Sequence, residues 1–161
     1  MNIYLAADHA GFELKETVKE FLSSMKRADG EVFEVVDVSP EAPNPADDYP
    51  QIMARAAQAV SADGIKGIVS RALLFGGSGQ GEAMVANRFA GIRAAVYYAA
   101  DEEIIRLSRQ HNDANVLSFG ARFISAADAV AAAALWLDTP FSGDERHIRR
   151  IADIENVSHT N

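Results

Sequence analysis

Five apolar, strand-like runs alternate along this chain with helix-like segments, and the joints between them are short. Ile3 to Ala6 opens the series. Asp8-His9-Ala10-Gly11 makes a turn, and Leu14, Val18, Phe21, Leu22 and Met25 then recur at helical spacing. Ala28-Asp29-Gly30 is expected to close that helix, and Glu31 to Val38 reads as a second strand. Ser39 to Asp48 holds three prolines and reads as a loop; Pro50 suits the first turn of a helix carrying Ile52, Ala56, Ala59 and Val60. Residues 63 to 70 stay ambiguous, because Gly64 and Gly67 interrupt an otherwise apolar segment. The third strand, Ala72 to Phe75, leads into four glycines within six residues and a short helix over Glu82 to Asn87.

Arg93 to Tyr98 reads as a fourth strand. Asp101 can cap a helix that carries Ile104, Ile105 and Leu107 and ends near His111-Asn112; Asn115 to Phe119 is a fifth strand. Ser125-Ala126-Ala127-Asp128 resembles a capping box before an alanine-rich helix that stops short of Pro140. Ser142-Gly143-Asp144-Glu145 is a second such signature, before the last helix. Strands and helices in alternation predict an open parallel sheet with helices on both faces. At 161 residues the chain reads as one domain over 1–155, burying roughly 70% of its unfolded surface, with a polar, frayed tail over 156–161.

Composition removes several functions. No cysteine is present, so disulfides, thiolate metal sites and a cysteine nucleophile are excluded. A net charge of −8 argues against nucleic acid and anionic membranes as partners. The chain starts directly on a strand, without a basic and apolar leader, and no apolar run is long enough to cross a bilayer; a cytoplasmic location is the expectation. Its four histidines are scattered, none in H-x-x-x-H spacing, so no metal and no other cofactor is expected.

The glycine segment Gly76-Gly77-Ser78-Gly79-Gln80-Gly81-Glu82 carries the chemistry. A strand, a glycine loop and a helix start bring backbone N–H groups together around an anion. Gly76 and Gly81 have the spacing of the nucleotide phosphate loop, but Glu82 stands where its lysine belongs and Ala83 where its hydroxyl belongs. The dinucleotide fingerprint fails as well. What remains is an anion-binding loop with its own carboxylate, a pairing suited to taking a proton from carbon while holding the oxyanion produced. The same residues would also serve as a glycine-rich turn with a solvated Glu at a helix start.

In a parallel sheet the loops after the strands share one edge. That edge is expected to collect Asp8 and His9, the glycine loop, and Gly120 to Arg122. Asp8 could equally cap a helix, and His9 could be a surface histidine. His111 and Asn112 suit a helix end, and also suit sugar hydroxyls. Arg146 and Arg150 are i and i+4 on the last helix and match a phosphate, with Ile148 expected to point toward the core.

Ala7-Asp8-His9-Ala10-Gly11, Asp48-Tyr49-Pro50, the Gly76 to Glu82 loop with Ala86-Asn87, His111-Asn112-Asp113-Ala114-Asn115, Gly120-Ala121-Arg122 and Arg146-His147-Ile148-Arg149-Arg150 occur in this order. In this the chain resembles the type B ribose-5-phosphate isomerases, a family that includes galactose-6-phosphate isomerase subunits. The resemblance implies a Rossmann-like three-layer αβα sandwich with a central five-stranded parallel sheet and a C-terminal helix. It implies metal-free aldose–ketose isomerisation of a sugar phosphate by a homodimer, with active sites shared between chains and pairing into tetramers left open. Ribose 5-phosphate is the expected substrate; a hexose phosphate of the galactose or allose type, or sugar-phosphate binding without catalysis, is the alternative. By resemblance, Asp8 and His111 open the sugar ring, Glu82 moves the proton between C2 and C1, and Ser78 with the amides of Gly77, Gly79 and Gly81 cradles the enediolate. His9, Arg122, Arg146 and Arg150 then hold phosphate, and Tyr49 and Asn112 touch the sugar. One branch of the family has a cysteine base at the position of Gly76; this chain resembles the branch that relies on Glu82. The stretches 39–47 and 63–71 are not typical of the family.

Overall fold

The computed structural model describes residues 1–26, 30, 32–98 and 101–157. Their elements run β1 (Asn2–Ala7), α1 (Phe12–Ser24), β2 (Glu34–Asp37), α2 (Tyr49–Ile65), β3 (Ser70–Gly76), α3 (Gln80–Ala86), β4 (Ala94–Tyr97), α4 (Glu102–Gln110), β5 (Val116–Gly120), α5 (Ala126–Asp138) and α6 (Glu145–Val157). The five strands form one all-parallel sheet in the order β2-β1-β3-β5-β4. The expected α/β architecture is therefore present.

Side chains alternate across the strands and build a core on each face. Ile3, Leu5, Leu73, Phe75, Leu117 and Phe119 pack with α1 and α5 on one side. Ala6, Ala72, Leu74 and Val116 pack with α2 and Ala86 of α3 on the other. Right-handed crossovers explain the division. The steps β1 to β2 and β4 to β5 run one way along the sheet, and α1 and α4 lie on one face. The steps β2 to β3 and β3 to β4 run the other way, and α2 and α3 lie opposite. The chain leaves β1 in one direction and returns on its other side, so a switch point falls between β1 and β3. Ligands of such sheets bind at the switch point, beyond the carboxyl ends of the strands.

Several boundaries differ from the expectations. Helix α1 stops at Ser24, with the N–H of Met25 donating to the carbonyls of Phe21 and Leu22; Ala28 and Asp29 of the expected stop lie outside the described residues, as does Glu31. Strand β2 starts only at Glu34, because Val32 forms an antiparallel bridge with Lys26 instead. Helix α2 runs through Gly64. The buried Asp63 beneath it accepts hydrogen bonds from Tyr4 (2.9 Å) and Asn2 (3.3 Å), and Gly67 at φ +73° ends the turn. Ser125 caps α5 as expected, taking the N–H of Asp128. Ser142 takes the N–H of Asp144 rather than that of Glu145, so α6 opens on Asp144 without the expected box. Helix α6 also continues through Asn156 and Val157, where the polar tail was expected to begin; residues 158–161 lie outside the described residues. Among the described residues no helix is long and apolar enough to cross a membrane.

One ion cluster ties the start of α1 to the end of β2. Lys15 is almost wholly buried and reaches Asp37 at 2.7 Å and Glu16 at 2.6 Å, and Lys19 also meets Asp37 at 2.7 Å. Burial pushes the Asp37 carboxyl up, but hydrogen bonds from Lys15, Lys19 and Ser39 outweigh it and hold the pKa at about 2, below the usual 3.8. A carboxylate depressed in this way stabilises the fold above its unfolded pKa, and the contribution fades as pH falls through its folded value. Asp37→Asn is expected to lose about 2 kcal/mol at neutral pH, the deficit against wild type closing between pH 4 and 2. Urea melts across that range check it; a deficit independent of pH would show that the carboxylate's charge is not the cause.

Candidate active site

The carboxyl edge at the switch point is built by loops that lock onto one another. The N–H of Asp8 donates to the carbonyl of Phe75 (3.1 Å), Ala121 to Gly76 (2.8 Å) and Arg122 to Gly77 (3.1 Å). Ser118 of β5 donates its hydroxyl to the carbonyl of Gly79 (2.8 Å). The ends of β1, β3 and β5 are thereby fixed around the glycine loop.

Each glycine of that loop makes room for a particular neighbour. A Cβ on Gly76 would fall on the carboxylate of Glu82. On Gly81 it would lie 2.5 Å from the Tyr49 hydroxyl, and on Gly77 it would lie 3.3 Å from the Arg122 guanidinium. Gly79 turns the chain at φ +75°, a left-handed conformation that side chains disfavour, into the start of α3. Tyr49, Glu82 and Arg122 are thus brought against one backbone loop. Ser78 stands exposed on it, its hydroxyl taking the N–H of Gln80 at 3.3 Å.

Glu82 is 4% exposed, in the first turn of α3, and its Oε2 is buried with no hydrogen-bond partner among the described residues. Burial raises its pKa; a hydrogen bond from its own backbone opposes this, and the charge of Asp8 adds to it. Asp8, also buried, uses Oδ1 to accept the N–H groups of Ala10 and Gly11, both at 2.9 Å. It therefore orders the turn before α1, and Gly11 rather than Asp8 occupies the cap position. His9 follows with a buried Nδ1 that has no partner among the described residues. A carboxylate oxygen and an imidazole nitrogen, both buried and without a hydrogen-bond partner among the described residues, thus belong to this edge. Buried polar atoms are rarely left so, and active sites are where the exceptions gather.

The other sequence-selected residues lie elsewhere. His111 follows α4, which runs back to the amino edge of the sheet, and its ring stacks on His147 of α6 with centroids 4.2 Å apart. Asn112 is exposed beside it, its carbonyl accepting from Arg93. Arg146 and Arg150 are exposed on α6, Arg146 no nearer than 3.8 Å to Asp144. Ile148 does not point toward the core: it is 53% exposed, and His147 is the residue that α6 buries. The reason is that α6 lies against His111 and Arg93 at the amino edge rather than over the sheet. Burial, then the charges of His111 and Arg146, keep His147 below the usual imidazole pKa. The sheet separates the two groups: five residues of β5 alone span about 13 Å.

Sequence reasoning missed three contributors: the space that Gly76 leaves for Glu82, the Ser118 hydroxyl under Gly79, and the stacked His147. Only His147 had a visible signal, its place inside the arginine cluster. Among the described residues no three His, Asp or Glu side chains are grouped to hold a metal.

Comparison with known proteins bears on this arrangement. A family model described as ribose/galactose isomerase matches residues 3–154. A ribose-5-phosphate isomerase B of Mycobacterium tuberculosis is 35% identical over 161 residues, spanning 99% of this chain and 91% of the relative. The crystal structure of ribose-5-phosphate isomerase B from Mycoplasma genitalium, with bound ribulose-5-phosphate, superposes with a TM-score of 0.87 at 32% identity, over 99% of this chain and 97% of that one. A ribose 5-phosphate isomerase of Thermotoga maritima gives a TM-score of 0.82 at 36% identity, over 97% and 98%.

Proposed function

This chain belongs to the ribose/galactose isomerase family, and from that premise we propose that it interconverts D-ribose 5-phosphate and D-ribulose 5-phosphate through a cis-enediolate, with Glu82 as the base. One observation carries the reading: a buried carboxylate with an unsatisfied oxygen, held against a glycine loop in space that only glycine leaves open. Glu82 takes the proton from C2 and returns it to C1, while the proton on O2 passes to O1. Asp8 and His111 open the ring. Ser78 and the amides of Gly77, Gly79 and Gly81 stabilise the enediolate; each donor of this kind typically supplies about 2.7–4 kcal/mol of barrier lowering. His9 and Arg122 hold phosphate with Arg146 and Arg150, and Tyr49 and Asn112 hold the sugar. The relative that binds ribulose-5-phosphate supports the choice of a pentose.

His111, Asn112, Arg146 and Arg150 reach this machinery from a second copy of the chain. Their place on the amino edge keeps them from Glu82 of their own chain, and the exposed Ile148 of α6 offers an apolar contact to a partner. The working unit is therefore a homodimer with two shared sites.

The test is a panel of pentose and hexose phosphates assayed for aldose–ketose conversion; turnover led by ribose 5-phosphate is expected, and no turnover of any would leave a binding protein. The acid limb of kcat/KM supplies a further check. Glu82 must be ionised to act, and its pKa is raised above 4.5, so activity should rise with pH through a midpoint above 4.5. A limb at or below 4.5 would remove the buried carboxylate from the rate-determining step.

A further inference from the structure

At the amino edge, across the sheet from the glycine loop, a cavity of about 180 Å³ is lined by Arg71, Arg93, Arg109, Asp113 and Asn115. Three arginines therefore line one small space in a chain whose net charge is −8. Two are accounted for. Asp113 gives one carboxylate oxygen to Arg109 (2.7 Å) and the other to Arg93 (3.0 Å), and Glu155 meets Arg93 from outside (3.3 Å). Arg71 is the cation left over. Its Nη1 donates to the carbonyls of Trp136 and Leu137 at the end of α5 (3.2 and 2.9 Å), and no carboxylate among the described residues lies within ion-pair distance. Its charge sits 5.3 Å from the Trp136 ring, with that of Arg109 at 5.7 Å from the same ring.

A desolvated guanidinium beside a second one is costly without a counter-charge. Burial first, and then Arg109, push the Arg71 pKa down to about 10 against the pull of Asp113. The fork of Arg71 has nitrogens beyond Nη1 for which no acceptor is present among the described residues. A planar fork of this kind matches an oxyanion, and the cavity holds one phosphate group or a small ester of it. We propose that this cavity is a second oxyanion site, in which Arg71 binds a phosphate-type anion apart from the carboxyl-edge site. Part of its lining, Gly64 and Ile68 to Arg71, comes from the 63–71 stretch, and it connects to the loop of Asn112 and Asp113 through Arg93.

The chain contains its own reporter, because Trp136 is its single tryptophan and lies under both guanidiniums. Equilibrium dialysis with radiolabelled inorganic phosphate, at ionic strength fixed by sodium chloride, counts the sites per chain while Trp136 emission locates them. Wild type is expected to bind one phosphate more per chain than Arg71→Met, with a saturable change in emission that the variant lacks. Arg71→Met also removes two hydrogen bonds at the end of α5, so Val69→Glu is the companion. Val69 is 69% exposed at the rim of the cavity, and a tethered carboxylate there should displace the phosphate without touching the core. Glycerol 3-phosphate in competition separates the two sources: displacement assigns the site to phosphate esters, and none assigns it to free phosphate. Equal phosphate counts in wild type and both variants, or an emission that phosphate leaves flat, would overturn the second site. Isomerase turnover is read separately, so failure here and failure of the isomerase reading are distinct results.

Discussion

Glu82→Gln is expected to lower kcat by about 10³-fold while leaving KM for the sugar phosphate near its wild-type value. The amide fills the same space over Gly76 and loses only the ability to take a proton. Its effect should therefore appear in the chemical step and not in binding. Exchange of the C2 proton with deuterated water measures that step directly, and a wild-type exchange rate in the variant would take Glu82 out of the mechanism. Gly76→Ala tests the same geometry from the other side. Its methyl group would meet the Glu82 carboxylate, so the base must swing away from its position, and activity should fall although every polar group remains. Gly64→Ala is the control. It lies in α2 with open space around its Cβ, and it should leave turnover intact while adding about 0.4–1 kcal/mol of stability.

The centre of the sheet was legible in the sequence because β3 and β5 are buried on both faces. Runs such as Leu73-Leu74-Phe75 must then be apolar throughout, and that pattern survives without knowledge of neighbours. The glycine loop was legible because a left-handed turn at the end of a strand leaves a compositional trace. What the sequence could not show were relations between distant residues. Gly64 left residues 63 to 70 ambiguous, but Asp63 is held by Tyr4 and Asn2 of β1, and that tertiary anchor carries α2 through it. Ile148 looked like a core residue because helical periodicity assumes a core on the apolar side. Helix α6 has no sheet beneath it, and Ile148, Ile154 and Val157 on it are exposed. Nor does a sequence reveal that Gly76 is glycine because a carboxylate six positions later occupies its Cβ space. The candidate residues could be named from the sequence, but their division between two edges of the sheet became visible only in three dimensions.

That division leads to the other large effect. Glu82→Gln and His111→Ala should each be nearly inactive alone, yet mixing them under conditions of subunit exchange should restore about a quarter of wild-type activity, as a two-fold dimer requires. The arithmetic follows from the fold. In the proposed dimer, Glu82 works at the carboxyl edge of one chain and His111 at the amino edge of the other. In a heterodimer, one site receives both substitutions together and is dead. The other receives Glu82 from one chain and His111 from its partner and is whole. Random exchange makes half of the dimers mixed, and half of their sites are intact. Stacking of His111 on the buried His147 keeps the imidazole in place in the unaltered chain, so a restored site should show the wild-type KM. Were both residues to act within one chain, each site of the heterodimer would keep one lesion, and mixing would restore nothing. Isolated heterodimers that stay inactive would sink the shared site. The isomerase assignment would stand, and His111 would have to reach Glu82 by a rearrangement of its own chain large enough to cross the sheet.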